Sequence, residues 1–238
     1  MAHGITIDRL MEHLFGPAPA SAMADELSAG LAESRRFRAF VDANRDKIRK
    51  KLRGAVDDGA RQDVRAELRV AQLLLADRRI ELAFEPYGSS IGGPDFLVTY
   101  RGHPAFNLEV TRRRPGSRSG ADGGALLAKL RQLPPSVANV VLVAAERGRA
   151  EPLDIAAAMR SLQVRADAGD DRFFAERGLD GTRGFRQRSL RLGAVIGWFE
   201  TRSGEARVIR WTNGSARIAV PEPAARALVQ CLRADELS

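Results

Sequence analysis

The chain has 238 residues, a formal net charge of +8 and one cysteine, Cys231. It is long enough to bury a core of its own, and a single thiol excludes an internal disulfide framework and fits a reducing compartment. No apolar run reaches membrane-spanning length and the first residues lack the basic-then-apolar pattern of a signal segment, so a cytoplasmic protein that does not enter a membrane is expected.

The 44% hydrophobic content is ordinary for a globular domain. The sequence pI of about 10.6 points to a polyanionic partner, nucleic acid first. Of the 38 basic residues only Lys47, Lys50, Lys51 and Lys129 are lysine. Arg and Ala richness also arises from genome composition, so charge alone does not choose between the two explanations.

In chain order, residues 1–32 are expected to be weakly structured with short helical stretches, and "FGPAPASAMADELSAG" reads as a linker or arm. Ser34 is a candidate N-cap for one helix, "RRFRAFVDANRDKIRKKLRGAV". Its positive charges cluster at Arg45, Lys47, Arg49, Lys50, Lys51 and Arg53, which suits either a solvated face or a phosphate-contacting one. A second helix is expected over 61–77, with Val64, Leu68, Ala71 and Leu75 as its apolar stripe and Arg61, Arg65 and Arg69 on a flanking basic face. Glu67 falls inside the apolar arc. A carboxylate there needs a partner, because an unpaired buried charge is costly; it is either a partly exposed residue at the stripe's edge or one aimed at a metal or cation.

Strands are expected at 80–87, 94–100 and 105–111, then a helix over 122–133 stopped by Pro134-Pro135. "NVVLVAA" (139–145) is a continuous apolar run, as for a central strand buried on both faces. Helical pieces follow at 151–166 and 170–178. A three-stranded β-meander is expected from "LGAVIGWFE", "ARVIRWT" and "ARIAV", with Asn213-Gly214 as a hairpin signal, and a last helix opened by Pro221 and Pro223. The whole reads as an α/β (α+β) fold around a mixed sheet. An N-terminal arm and basic helix occupy 1–60, and a domain occupies 61–238 with its core at 61–145 and a C-terminal elaboration at 146–238.

The hairpin of the second and third strands carries the chemistry. A turn centred on Gly102 pairs Phe96 with Leu108 and Val98 with Phe106 on one face. It sets Asp95 opposite Glu109 on the other, where Cβ atoms lie about 5 Å apart. A one-residue slip would split the apolar set, so the pattern favours this register. Two facing carboxylates repel unless a positive group sits between them. A hard divalent cation such as Mg²⁺ meets that need; so does the plainer arrangement in which Asp95 caps the Gly-Gly-Pro turn and Glu109 pairs with an arginine.

Glu67 on a helix, Pro94-Asp95 opening a strand and Glu109-Val110-Thr111 in the next resemble the PD-(D/E)XK nuclease superfamily over residues 61–145. The resemblance implies a restriction-endonuclease-like αβββαβ core. It implies that Asp95, Glu109 and the Val110 carbonyl hold Mg²⁺ or Mn²⁺, and that Glu67 orients a metal-bound water or a second ion. The family's motif usually ends in Lys, and this chain has Thr111 there. Strand parity puts Arg113 on the face of Glu109 and Thr111. Lys129 on the following helix, with Gln132 on the same helical face, is the other substitute. Glu85 reads as a strand-end polar residue or an addition to the acidic group.

The function expected from the resemblance is metal-dependent hydrolysis of phosphodiester bonds, in DNA first. Arg61, Arg65, Arg69, Arg113 and Gln132 would serve as substrate contacts, and cutting both strands would call for a homodimer. The alternative is a nuclease-fold protein that binds nucleic acid, or acts as a scaffold, without catalysis. Thr111 speaks for it.

Overall fold

The computed structural model describes residues 5–17, 21–88, 93–113, 122–145, 154–200 and 206–233. The chain parts into two compact units, Met1–Leu82 and Ala83–Ser238. Among the described residues there are ten helices and six strands, and no helix is long and apolar enough to cross a membrane.

The first unit is helical: α1 (Ile7–Phe15), α2 (Ala22–Glu33), α3 (Arg35–Ala43), α4 (Arg45–Gly54) and α5 (Asp58–Ala76). Two expectations change here. Part of the segment read as a linker is α2, with Ser21 accepting from the Ala24 N–H at 3.2 Å and Ala24, Leu27 and Leu31 buried; residues 18–20 of it lie outside the described residues. Ala, Leu and Glu favour helix strongly enough to outweigh the nearby prolines. Gly30 has a packing reason, since a Cβ there would lie 2.9 Å from the Gln72 amide of α5. The single basic helix is in fact α3 and α4, broken at Asn44. The Asn44 amide donates to the Phe40 carbonyl at 2.8 Å, and its side chain thus competes with the helix's own ladder.

α5 starts at an Asp57 cap, whose carboxylate accepts from the Ala60 N–H at 2.7 Å. At its other end the Arg36 guanidinium donates to the carbonyls of Leu75, Asp77 and Ile80 at 2.7, 2.7 and 2.5 Å, satisfying acceptors that the helix leaves open.

The sheet runs in the order β1-β2-β3-β4-β5-β6, and it is open and mixed. Its strands are β1 (Ile80–Phe84), β2 (Phe96–Tyr100), β3 (Phe106–Arg113), β4 (Ala138–Ala145), β5 (Leu192–Glu200) and β6 (Ala206–Thr212). β2 and β3 are antiparallel, β3, β4 and β5 are mutually parallel, and β5 and β6 are antiparallel. Both parallel steps are crossovers through helices, as parallel pairing requires: α6 (Asp122–Leu130) for the first; α7 (Ile155–Asp167), α8 (Asp171–Ala175) and α9 (Gly181–Ser189) for the second. α10 (Glu222–Arg233) closes the described chain. β4 is buried along seven of its eight residues, which is why it reads as an unbroken apolar run.

Leu126, Leu127 and Leu130 of α6, with residues of α7 and α9, pack on Val141, Val143 and Val195 of the sheet. Phe174 and Phe185 stack within this core at 4.8 Å. α9 escapes a reading by periodicity because "GTRGFRQRS" offers one apolar side chain, Phe185; burying that ring is what secures the helix.

The third meander strand is absent. Asn213 does not turn the chain back along β6. Its amide donates to the carbonyls of Ser189 and Leu192 at 2.9 and 2.8 Å, and its carboxamide oxygen accepts from the Ser215 N–H, an Asx turn. The Arg217 N–H then bonds to Leu190, so 216–220 is led towards the loop before β5.

Candidate functional site

The β2–β3 register is the one expected: Phe96 pairs with Leu108, Leu97 with Asn107 and Val98 with Phe106. The connecting turn closes with the His103 N–H on the Tyr100 carbonyl, and Gly102 has φ +78°, a value open to glycine at little cost. Phe96 and Phe106 are fully buried, so the apolar face of the hairpin locks the alternate face in place.

Asp95 immediately precedes β2 and Glu109 lies within β3, 8% and 2% exposed. Instead of extending the ladder, Asp95 turns its carboxylate onto the strand: Oδ2 accepts from the Val110 N–H at 2.8 Å. Its own carbonyl accepts from the Glu85 N–H at 2.8 Å. Glu85 adopts φ +45°, which costs a residue with a Cβ. The chain before Asp95 is thus held through its backbone.

Lys129 reaches this hairpin. From the last turn of α6, Nζ makes an ion pair with Glu109 Oε1. The Lys129 side chain is 25% exposed and that of Glu109 3%. α6 packs against the face of β3 and β4 that carries Glu109 and Val141, which are register partners. Lys129 is therefore supplied from the helix layer above Glu109, where Thr111 cannot supply charge.

Arg113 closes β3 on the same face as Glu109 and Thr111 and is buried, 5% exposed. The strand thus continues as far as that residue. Gln132 differs from expectation. α6 stops at Leu130, and Gln132 is exposed in the turn beyond, its N–H on the Lys129 carbonyl at 2.9 Å. Leu133 precedes a proline and is biased away from helix. Arg188 and Arg191 bond to the carbonyls of Arg131 and Leu133, fixing the turn, so a shared helical face with Lys129 does not form.

Glu67 lies in the first unit, 5% exposed in the apolar arc of α5, as its sequence position implied. Its partner is Lys51 of α4, with Nζ donating to Oε2 at 2.5 Å. On the basic face of α5, Arg61 bonds to the Ala55 carbonyl at 3.3 Å and Arg69 to the Gln72 side chain at 3.0 Å. Arg65 pairs through two nitrogens with the carboxylate of Glu26 in α2. Part of that positive charge is thus spent inside the helical unit.

Sequence reading missed the polar relay at the N-terminal ends of β3 and β4. The Tyr87 hydroxyl donates to Asn107 Oδ1 at 3.1 Å, the Asn107 amide donates to Asn139 Oδ1 at 2.9 Å, and the Asn139 amide is bonded to the carbonyls of Pro134, Val137 and Arg191. Both asparagines are fully buried. The available signal was an Asn inside each of two apolar strands, at register-paired positions.

The donor set at the hairpin is two buried carboxylates and, from Val110, a backbone carbonyl. These are hard oxygen ligands suited to Mg²⁺ or Mn²⁺, which keep waters and take one or two protein carboxylates. Among the described residues no group of three or more His, Cys, Asp or Glu stands together as a metal cage. Compared with family models, curated proteins and solved structures, the chain matched none.

Proposed function

We propose that the protein is a metal-dependent phosphodiesterase of the PD-(D/E)XK type acting on DNA, with Asp95 and Glu109 as the acidic pair and Lys129 as the motif cation. The ion pair of Lys129 with the buried Glu109 carries the reading. A lysine from the crossover helix meets the second motif carboxylate, next to a strand position whose Thr cannot take that role. The order α5-β1-β2-β3-α6-β4 supports it, being the αβββαβ order that the motif implies.

Bound Mg²⁺ would supply Lewis acidity towards the phosphate and lower the pKa of a coordinated water. The rest falls to the chain. Asp95, anchored on the Val110 N–H, presents its other oxygen from a fixed carboxylate. Glu109 presents a carboxylate whose charge Lys129 balances before substrate arrives. Lys129 then places an ammonium beside the anionic phosphate, a preorganised donor for charge that grows in the transition state. Glu67 has no part in this scheme.

A second reading has its own observation. Lys129 occupies one Glu109 oxygen and Val110 one Asp95 oxygen, an arrangement that is also self-sufficient without metal. On that reading the protein binds nucleic acid without cutting it. Incubation with plasmid, linear duplex and single-stranded DNA, in Mg²⁺, Mn²⁺ or EDTA, separates the two. The proposal expects cleavage that needs metal and is lost in Asp95→Ala, Glu109→Ala and Lys129→Ala. Cleavage that survives EDTA or Glu109→Ala refutes the site, and binding without cleavage in every metal favours the second reading.

A further inference from the structure

The face of the sheet that carries Glu109 extends across β4, β5 and β6. Register partners on adjacent strands project to the same side. One row of partners therefore runs Arg113, Ala145, Phe199, Arg207, and the row before it ends in Gly197 and Ile209. Deeper in the sheet this face is covered by α6, α7 and α9. α10 lies on the opposite face, where Arg210 of β6 pairs with its Glu222. Towards the C-terminal ends of the parallel strands the face opens: Phe199 is half-buried, Ile209 is 38% exposed and Arg207 is exposed.

Three features of this strip are chemical. Phe199 has the two smallest side chains as described neighbours, Ala145 across the sheet and Gly197 two positions earlier on its own strand, so they leave its ring face uncovered. Arg207 stands directly beside it. Neither of the two rows carries a carboxylate among the described residues.

We infer that this strip binds single-stranded nucleic acid, with a base stacked on Phe199 and the adjoining phosphate on Arg207. An aromatic ring flanked by arginine on an open sheet is the arrangement that accepts unpaired bases, whose faces are available for stacking. A duplex keeps those faces inside its own stack, so it gains nothing from Phe199. By strand rise and spacing the strip lies about 16 Å from Glu109 across the sheet, a span of a few nucleotides. The inference rests on the preceding reading for its choice of a nucleic acid over other polyanions, and it deepens that reading by naming the strand state.

The test is fluorescence anisotropy of a labelled oligothymidylate with full-length protein in EDTA and low salt, where cleavage plays no part. Phe199→Ala is expected to weaken binding about fivefold or more, and Phe199→Trp to restore it, because stacking and not Phe itself is what matters. Arg207→Glu, at an exposed position that leaves folding intact, is expected to weaken binding at least as much. Arg172→Glu is the control for charge alone; its side chain is 89% exposed on α8, and a change under about twofold is expected. The inference is overturned if Phe199→Ala and Arg207→Glu bind as wild type does, if the control falls equally, or if the wild type binds only duplex or no DNA. Should Phe199→Ala fail to fold, Arg207→Glu against Arg172→Glu decides. A wild type that binds through Phe199 and Arg207 but never cleaves refutes the phosphodiesterase and leaves the strip standing. Cleavage with both variants binding normally does the reverse.

Discussion

Each unit of the chain holds one buried glutamate under a lysine, and the two pairs are alike in outline. Lys51 and Glu67 have side chains 26% and 7% exposed; Lys129 and Glu109, 25% and 3%. Half of the four lysines in an arginine-dominated chain serve these two contacts. An ammonium on a flexible stem reaches down beside a helix to a buried oxygen, where the broad planar guanidinium fits less readily. The surroundings differ. Glu67 sits in a helix–helix contact with α4. Glu109 sits in a strand whose next N–H is held by a second buried carboxylate, Asp95. A single carboxylate under one ammonium is a complete structural unit, whereas paired carboxylates beside an ammonium suit a site that exchanges partners. Pair geometry alone therefore does not mark a functional centre; the second carboxylate does.

Removing the cations gives the largest expected effect. Lys51→Met and Lys129→Met each leave a buried carboxylate uncompensated, at a cost of about 3 kcal/mol, or roughly 6–12 °C in melting temperature for units of this size. Mg²⁺ separates them. It is expected to restore part of the loss in Lys129→Met, because Asp95 and Glu109 together take up the ion, and to leave Lys51→Met unchanged. Thermal melts with and without Mg²⁺ check this; equal response, or none in either, removes the distinction between the pairs.

A smaller effect follows from replacing both members. Lys51→Met with Glu67→Met is expected to be neutral or about 1 kcal/mol stabilising, since a buried ion pair repays little beyond its own desolvation. The corresponding Lys129→Met, Glu109→Met protein is expected to fold but to lose Mg²⁺-dependent stabilisation and cleavage together. Denaturant midpoints set beside a cleavage assay sharpen the contrast. Retained cleavage in the second protein would place the chemistry elsewhere.

These pairs also show what the sequence makes legible. The β2–β3 register follows from where Phe96, Val98, Phe106 and Leu108 must point, and β4 from its unbroken apolar run. Glu67 is marked as buried and in need of a partner by helical spacing alone. Its partner is not, because Lys51 is 16 residues away on a helix whose break at Asn44 depends on one side-chain hydrogen bond. The missing third meander strand has the same origin. Asn213-Gly214 is a sound local hairpin signal, but the Asn213 amide finds carbonyls at Ser189 and Leu192, more than 20 residues earlier. Periodicity reports which face is buried; it is silent on long-range polar partners, which decide where elements break.

The smallest predicted effect sets a reference for both buried pairs. Asp77, just after α5, accepts from the side chain of Arg79 at 2.8 Å and from its backbone N–H at 2.9 Å. The side-chain bond, foremost, holds the Asp77 carboxyl below its ordinary value. Arg79 is 54% exposed, so the contact is screened by solvent and salt. A carboxyl lowered in the folded state contributes stability that is fully present above its unfolded pKa of about 3.9 and is lost as pH falls through the folded value. Arg79→Ala is therefore expected to cost about 0.5 kcal/mol near pH 6. That difference should shrink as acid protonates Asp77 in both proteins, and most of it should vanish in high salt. Urea midpoints from pH 6 down to the acid limb, at two ionic strengths, measure this. If the destabilisation in Lys51→Met or Lys129→Met fades with salt as Arg79→Ala does, those pairs are solvated contacts and the burial assigned to Glu67 and Glu109 has no energetic consequence; if it persists, the desolvated carboxylate sets its size.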